Sequence, residues 1–337
     1  MTFSTRQIGK TNLSIPTLGF GGAPLGGLLD AVDAVDSMAT LRAATQAGMR
    51  YVDTAPFYGF GLSERRVGDV IRGGSYVLST KVGRLLVPGA AENPAAMGWP
   101  EALPFHPVYD YSYDGIMRSF EQSLQRLGLD RIDILYVHDI GEVTHGAQNA
   151  PHFKALAESG YRALDSLRQS GQISAIGLGV NETAVCMEAL EIGDWDAFLL
   201  AGRYTLLEQH ALTDLLPACA ARDVSIVVGG PYNSGILVGG DTWNYGAAPQ
   251  EVVERVQQLK ATCRDFDVAL PAAALQFPMG HPSVASVIPG LRTPEELRQT
   301  LDWANAVIPA AFWDQLKDQD LLHPEAPVPA ARPFSVA

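Results

Sequence analysis

The sequence predicts an α/β protein of the (β/α)8 TIM-barrel class, with an N-terminal β-hairpin and an extra C-terminal helix. Eight short apolar segments alternate with eight helix-like segments, and continuous apolar runs are typical of parallel strands covered on both faces. The 337 residues fit one barrel, so 1–337 is predicted to be a single domain. A doubly wound sheet is the alternative, but it requires a Gly-x-Gly-x-x-Gly turn, and residues 19–22 read Gly-Phe-Gly-Gly.

The predicted elements follow one another along the chain. A hairpin over 5–15 comes first, turning at a Gly-Lys pair. The predicted strands, rich in β-branched and aromatic residues, are 17–20, 51–53, 76–80, 132–137, 173–180, 197–201, 224–228 and 284–288. The predicted helices are 36–47, 63–71, 113–127, 152–169, 183–191, 210–222, 250–265 and 294–306, with an extra helix near 310–320.

Helix boundaries and loops have their own signals. Gly48 and Gly128 follow helical segments as C-terminal caps, and Ser63 precedes one as an N-cap. Residues 84–113 are rich in Pro, Gly and aromatic residues without a period, which predicts a long loop on the substrate side. Residues 321–337 are predicted to form a Pro-rich, weakly packed tail.

The composition excludes several classes of protein. A net charge of −13 and a pI near 4.9 argue against nucleic acid or an anionic membrane as partner. The three cysteines are widely spaced and unpaired in pattern, which favours reduced thiols in a cytoplasmic protein. The N-terminal residues lack a secretory pattern, and no apolar run has the length of a membrane span. We expect a small-molecule partner and a monomer or weak homo-oligomer.

Four polar residues converge at one predicted edge of the barrel. Asp53, Lys81 and His138 end the second, third and fourth strands, and Tyr58 lies in the loop after the second. Catalytic groups of such barrels lie at the C-terminal strand ends, and neighbouring strands are only ~4.8 Å apart. Each residue alone is typical of a packed or solvated side chain. The four together, on consecutive units, favour catalysis.

The Lys81–Tyr58 pair predicts an acid or base. Lowering a phenol pKa from ~10 to neutrality takes roughly 3–4 kcal/mol, and an ammonium at ~4 Å supplies about 4 kcal/mol at an effective dielectric of ~20. Asp53 would keep Lys81 charged, and neutral His138 would orient a substrate oxygen. A metal-dependent hydrolase is the rival interpretation. It needs several histidines at strand ends, and of the seven only His138 is at one.

These residues resemble the active-site tetrad of the aldo-keto reductases, which transfer hydride to or from a nicotinamide. The resemblance begins at Asp-Thr-Ala-x-x-Tyr-Gly over 53–59, continues through Lys81 and His138, and includes the helix over 118–128. It extends from residue 18 to the eighth helix. The resemblance implies a (β/α)8 oxidoreductase. A non-catalytic relative, like the potassium-channel β-subunits that also resemble this family, is the alternative.

The resemblance also implies a cofactor site. Asn181 would hold the carboxamide and Tyr204 would stack on the nicotinamide. The loop after the seventh strand would wrap the pyrophosphate, since glycine permits close backbone approach; its residues are Tyr232, Asn233, Ser234, Gly235 and Leu237. NADPH-preferring members often carry cations where this chain has Gly290 and Glu296, although Arg292 remains. The resemblance therefore favours NAD, with NADP as the alternative.

Several segments are similar to the branch of this family containing D-threo-aldose (L-fucose) 1-dehydrogenases and pyridoxal 4-dehydrogenases. They are 110–114, 137–139, 177–182 and 199–207. The implied reaction is NAD-dependent oxidation of an aldose at C1 to the lactone, with Tyr58 and His138 acting on the substrate. Oxidation of pyridoxal to 4-pyridoxolactone is the alternative, and aldehyde or ketone reduction is a further one. Trp99 and Trp243 are predicted to line the substrate pocket.

Overall fold

The computed structural model describes residues 3–335. Its strands are β1 (Thr5–Gln7), β2 (Ser14–Pro16), β3 (Phe20–Gly21), β4 (Tyr51–Asp53), β5 (Val77–Val82), β6 (Arg84–Pro88), β7 (Phe105–Tyr109), β8 (Ile134–His138), β9 (Ala175–Val180), β10 (Ala197–Ala201), β11 (Ser225–Gly229), β12 (Thr242–Trp243), β13 (Gly246–Ala247) and β14 (Val284–Ile288). Its helices are α1 (Ala34–Gln46), α2 (Leu62–Ile71), α3 (Tyr113–Leu127), α4 (Glu142–His145), α5 (Asn149–Ala155), α6 (Tyr161–Gln169), α7 (Ala184–Ala189), α8 (Leu215–Ala221), α9 (Gln250–Asp265), α10 (Leu270–Gln276), α11 (Pro294–Asn305) and α12 (Ala310–Asp318).

Eight of these strands form the predicted parallel barrel. Their order is β14-β11-β10-β9-β8-β5-β4-β3, so each strand pairs with its neighbours along the chain. The two edges are joined by parallel bridges from Leu18 to Val287 and from Gly21 to Gly290. The amide of Gly19 donates to the carbonyl of Val287 at 3.0 Å. The barrel class is confirmed, and the C-terminal ends of the strands share one rim.

The N-terminal hairpin closes the opposite end of the barrel. Strands β1 and β2 are antiparallel, as the sequence predicts. Ile8 and Ile15 are fully buried in a cluster with barrel-interior side chains such as Tyr51 and Ile134. A separate, larger cluster fills the layer between barrel and helices. The rim that carries the strand ends is therefore the open end.

Several element predictions need correction. Helix α2 begins after Gly61, and Ser63 is not its cap, because the Ser63 hydroxyl donates to the carbonyl of Gly22 at 2.7 Å instead. The predicted helix 152–169 begins at Asn149 and contains a π-helical turn over 156–160. The predicted helix 210–222 is α8 preceded by a short 3-10 turn, and α10 was not predicted at all. These boundaries depend on tertiary packing, which outweighs local propensity.

Two segments predicted to lack structure are ordered. The long loop 84–113 contains an antiparallel hairpin in which Arg84 pairs with Tyr109 and Pro88 with Phe105. The sequence pattern did not predict this hairpin, because its two strands are separated by a long segment rich in Pro and lack a regular alternation of apolar and polar residues. In the tail, Leu321, Leu322 and Phe334 are buried, so it packs against the barrel up to residue 335; residues 336 and 337 lie outside the described part. Within 3–335 no helix has the length and apolarity to cross a bilayer.

We expect the hairpin plug to be stabilising and remote from the chemistry. Ile15→Ala leaves a cavity in the cluster that closes the barrel floor, so the free energy of unfolding should fall by about 2–5 kcal/mol, whereas Ile15→Val should cost only about 0.5–1.5 kcal/mol. Urea-induced unfolding followed by circular dichroism measures both. Equal stabilities of the wild type and Ile15→Ala would contradict a packed barrel floor.

Candidate active site

The rim brings the four predicted residues together. Asp53 and His138 are the last residues of β4 and β8, and Lys81 lies one residue before the end of β5. The register pairs Asp53 with Ser79 and Lys81 with Tyr136, so the side chains converge above the barrel interior. Tyr58 follows in the turn after β4, and its ring centroid lies 5.9 Å from that of His138.

The ammonium group of Lys81 is the centre of this arrangement. Its Nζ donates to Asp53 Oδ2 at 2.6 Å, to the carbonyl of Thr54 at 2.9 Å and to Tyr58 Oη at 2.9 Å. An ammonium has three donors, so all its capacity is used. The other oxygen of Asp53 accepts from the Ser79 hydroxyl at 2.7 Å. The carboxylate and the phenol are therefore both hydrogen-bonded to one buried cation.

The phenol of Tyr58 is not acidified in the free protein, contrary to the sequence-based expectation. Burial, together with the charges of Asp53 and Asp139, raises the pKa of Tyr58 well above 10, and Arg84 acts in the opposite direction. Burial also raises the pKa of Asp53, against the opposing effect of Lys81. The desolvation of a phenolate and the neutralisation of Lys81 by Asp53 outweigh the attraction of the ammonium for a phenolate. Tyr58 is therefore a protonated phenol.

His138 is a neutral imidazole. Burial and the positive charges of Arg84 and Lys81 lower the pKa of His138 well below 6.5. Its Nε2 lies 3.3 Å from Asp139 Oδ2, while Nδ1 is buried and has no hydrogen-bond partner among residues 3–335. Because the carboxylate favours a proton on the nitrogen that faces it, Nε2–H is the expected tautomer. This N–H faces Asp139, and the imidazole ring lies edge-on to the Tyr58 ring.

A cavity of about 720 Å³ opens over these groups. Aromatic and apolar side chains form part of its lining, including Phe57, Tyr58 and Trp99, the last of which the sequence predicts to line the substrate pocket. Polar side chains form another part, the polar wall, namely Asp139, Asn181, Arg203 and Asn244. Tyr245 also lines the cavity, at the tip of the β12–β13 hairpin, where Asn244 and Tyr245 both have positive φ angles. Such a mixed lining suits a substrate with an apolar face and several hydroxyl groups.

Two predicted residues lie away from this cavity. Tyr204 is fully buried, with its ring 5.4 Å from that of Phe277, so it is not available to stack on a cofactor in the cavity. Trp243 donates from Nε1 to Glu208 Oε1 at 2.9 Å and lines a separate surface cleft. Both side chains point away from the cavity because Tyr204 packs on Phe277 and Trp243 is hydrogen-bonded to Glu208. Their neighbours Arg203 and Asn244 face the cavity instead.

The polar wall is held by a network around Glu208 that the sequence did not reveal. Arg203 donates to Glu208 at 2.6 Å, to Asn244 Oδ1 at 2.7 Å and to the carbonyl of Asn181 at 2.7 Å. Glu208 also accepts from Asn233 Nδ2 at 3.1 Å. One buried carboxylate thus links the loops after β10 and β11. A charged Arg-Tyr-x-x-x-Glu segment after an apolar strand was the available signal, because such charges are rarely buried unless paired.

Comparison with known proteins identifies the family. A model of the aldo/keto reductase family matches residues 17–320. The chain belongs to this family. Pyridoxal 4-dehydrogenase from Microbacterium luteolum is 44% identical over 333 residues, covering 94% of this chain and 97% of that protein. D-threo-aldose 1-dehydrogenase from a Pseudomonas species is 40% identical over 324 residues, covering 92% and 95%.

The fold agrees with solved members of the family. An aldo-keto reductase from Bacillus halodurans, solved in its holo form, superposes with a TM-score of 0.72 at 22% identity and covers 98% of this chain and 99% of that chain. The sequence-based resemblance is confirmed at the level of fold and family. The protein is thus an oxidoreductase of the aldo/keto reductase family, whose members use a nicotinamide cofactor and act on small molecules.

The loop predicted to wrap the cofactor pyrophosphate is tightly curled. Asn233, Ser234 and Gly235 have φ angles of 46°, 61° and 106°, and the last value explains the glycine. Asn233 Oδ1 is buried without a partner among residues 3–335, so it could accept from a hydroxyl or amide of a dinucleotide. Tyr232 packs on Trp303 and Leu237 is buried in the core, so these two side chains are structural.

The floor of the cavity also fits a planar ring. Gly179 lies beside Lys81, and a Cβ added at Gly179 would come within 3.2 Å of the Lys81 Cε atom. The Asn181 amide is next to it, with Nδ2 donating to Asp139 Oδ1 at 3.1 Å. A flat floor flanked by a carboxamide is suited to the nicotinamide end of the cofactor. These residues are compatible with the cofactor that the family uses.

The residues predicted to select the cofactor also pack against, or form hydrogen bonds and ion pairs with, other parts of the protein. A Cβ added at Gly290 would meet Pro24 Cγ at 2.8 Å, so close packing excludes a side chain there. Glu296 Oε2 accepts from the backbone amide of Arg292 at 2.6 Å, as in the capping box of a helix. Arg292 pairs with Asp30 at 3.1 Å. The absence of a cation at Gly290 therefore has a steric cause, while Glu296 still places a carboxylate here.

The neutral state of His138 leads to a stability prediction. An unfolded histidine binds a proton below about pH 6.5, whereas folded His138 does so only at a much lower pH, so the stability it contributes is lost as the pH falls. Below about pH 6.5 the free energy of unfolding should fall more steeply for the wild type than for His138→Gln, by up to about 1.4 kcal/mol per pH unit.

Urea unfolding at a series of pH values measures this difference. His323→Gln, at an exposed position, controls for loss of an imidazole elsewhere. Parallel curves for the wild type and His138→Gln would show that His138 can be protonated in the fold.

Proposed function

We propose that the protein oxidises an aldose of the L-fucose or D-threo-aldose type at C1 to the lactone, with NAD as hydride acceptor. The observation that carries the proposal is the three-way contact of Lys81 with Asp53, Thr54 and Tyr58 at the floor of a cavity. This is the arrangement expected for proton transfer at the hydroxyl of a bound substrate. An intact set of four residues in this geometry also argues against a non-catalytic binding module.

The chain's own residues divide the work as follows. The anomeric hydroxyl of the sugar is placed between Tyr58 Oη and His138 Nε2, and His138 orients it. Tyr58 first releases its own proton to solvent, and Lys81 stabilises the phenolate that is left. The phenolate oxygen then takes the hydroxyl proton of the sugar and becomes a neutral phenol again. Bound NAD⁺ would supply the hydride acceptor for C1 and a positive charge at the floor of the cavity. Asn181 would hold the carboxamide of this cofactor, and Asn233 would contact it in the loop predicted to wrap the pyrophosphate.

The form of the cavity favours a sugar over a purely aromatic substrate. The C–H face of a pyranose packs on aromatic rings, here Phe57, Tyr58 and Trp99. Its hydroxyl groups need hydrogen-bond partners, which Asp139, Arg203 and Asn244 offer in the polar part of the lining. The D-threo-aldose 1-dehydrogenase that is 40% identical supports this assignment. Pyridoxal is the second candidate substrate, because the pyridoxal 4-dehydrogenase relative is 44% identical.

A substrate panel tests this proposal. NAD⁺ reduction is followed by absorbance with L-fucose, D-arabinose, L-galactose, L-xylose and pyridoxal in parallel. We expect turnover of at least one aldose, with a rate that rises with pH, because the raised pKa of Tyr58 leaves little base form at neutral pH. Tyr58→Phe should abolish turnover and leave cofactor binding, measured by fluorescence titration, nearly unchanged.

The outcomes of the panel are distinct. Turnover of pyridoxal alone would replace the aldose with the second candidate. Near-normal turnover by Tyr58→Phe would remove Tyr58 from the mechanism. If none of the five compounds is oxidised and simple aldehydes are reduced with NADH, the protein is a reductase.

The preference for NAD over NADP is a separate part of the proposal. Glu296 would repel a 2′-phosphate and suits a ribose hydroxyl. Glu296→Arg should strengthen NADP⁺ binding relative to NAD⁺ by at least about tenfold, measured by fluorescence titration of both cofactors. Glu296→Gln is the matched control, because it removes the charge and retains an acceptor for the Arg292 amide. An unchanged binding ratio in Glu296→Arg would show that this position does not select the cofactor.

A further inference from the structure

Asp139 is a charged residue inside the active site that the proposed chemistry does not use. It follows His138 directly and has a φ angle of 45°, a left-handed conformation that aspartate tolerates better than most residues. Its amide donates to the carbonyl of Gly179 at 2.9 Å. This turn folds the carboxylate back toward the imidazole, where Oδ2 lies 3.3 Å from His138 Nε2. The carboxylate is thereby placed beside the reacting centre.

The carboxylate is fixed by a buried arginine. Arg84 Nη2 donates to Asp139 Oδ2 at 2.5 Å, and Arg84 is only 4% exposed. The Arg84 guanidinium lies 4.0 Å from the centroid of the Phe57 ring, which holds it by a cation–π contact. Asn181 donates to the other carboxylate oxygen at 3.1 Å. An aspartate with a buried arginine and an amide as partners has little rotational freedom.

This carboxylate still has accepting capacity directed at the cavity. An ionised carboxylate offers about four lone-pair positions, and the contacts from Arg84, Asn181 and His138 Nε2 use three of them. Asp139 lines the cavity, and its side chain is 14% exposed. One accepting position is therefore left for a donor that enters the cavity. The structure thus presents an oriented, acceptor-only group next to the position of the reacting oxygen.

We propose that Asp139 accepts a hydrogen bond from the substrate hydroxyl on the carbon next to the oxidised carbon, and that it makes this hydroxyl a requirement for efficient turnover. Neighbouring hydroxyl oxygens of a sugar lie about one hydrogen-bond length apart, which matches the separation between His138 Nε2 and Asp139 Oδ2. The anomeric hydroxyl then occupies the Tyr58–His138 position and the C2 hydroxyl reaches Asp139. Arg84 is the positioning residue. The inference rests on the proposed aldose oxidation.

The test compares the best aldose with its 2-deoxy analogue in the wild type and in Asp139→Asn. A hydrogen bond to a charged group contributes roughly 1.5–3 kcal/mol, so the wild type should favour the hydroxylated sugar by roughly 10- to 100-fold in kcat/KM. In Asp139→Asn this ratio should fall toward one. The ratio cancels any general loss of activity, because both substrates are measured on the same variant.

Three results would overturn the proposal. One is wild-type discrimination of less than about twofold, which is below the effect of any charged hydrogen bond and needs no variant to fold. Another is an equal loss of activity on both sugars in Asp139→Asn, which would assign Asp139 to positioning His138. A third is weaker NAD⁺ binding in Asp139→Asn with an unchanged kcat/KM ratio of the two sugars, which would show that Asp139 contacts the cofactor and not the sugar. Turnover of pyridoxal but of no aldose would instead refute the proposed function itself, and this inference with it.

Discussion

The active site depends on one buried ammonium group, that of Lys81. Taking a charge out of water is costly, and removing the partner of a buried ion pair typically destabilises a protein by roughly 3–5 kcal/mol. Lys81 avoids this because Asp53 reaches it at 2.6 Å and Thr54 and Tyr58 use its remaining donors. The pairing of Asp53 with Ser79 across β4 and β5 brings these groups together. A slip of one residue would turn the side chains to the opposite face of the barrel wall.

The same ion pair explains why the free protein holds an unreactive phenol. Asp53 neutralises much of the positive charge of Lys81, and Asp139 adds a second negative charge near the Tyr58 ring. Burial then raises the pKa of Tyr58 further. Arg84 balances Asp139 as Asp53 balances Lys81, so the cavity floor contains two ion pairs and little net charge. A positively charged ring bound above Gly179 would supply the charge that favours a phenolate, so we expect base strength to depend on cofactor binding.

The sequence predicted the tetrad but not the walls of the cavity, and the difference has a physical cause. In a parallel barrel every strand ends at the same rim, so apolar strands in the right order are enough to bring Asp53, Lys81 and His138 together. Side chains in the loops obey no such rule. Tyr204 and Trp243 turn inward while Arg203 and Asn244 face the cavity, because contacts with Phe277 and Glu208 decide their orientation. Likewise Gly290 suggested a missing cation, whereas Pro24, far away in the chain, excludes a side chain there.

Glu208 shows how such long-range contacts join the two halves of the site. It accepts from Arg203 in the loop after β10, from Asn233 in the loop after β11 and from Trp243 in strand β12. Arg203 in turn holds Asn244 and the backbone of Asn181. The loop predicted to hold the cofactor and the polar wall facing the substrate are therefore parts of one hydrogen-bonded unit. Because a buried carboxylate cannot lose one of these donors without a penalty, the predicted cofactor loop and the polar wall depend on the same carboxylate for their positions.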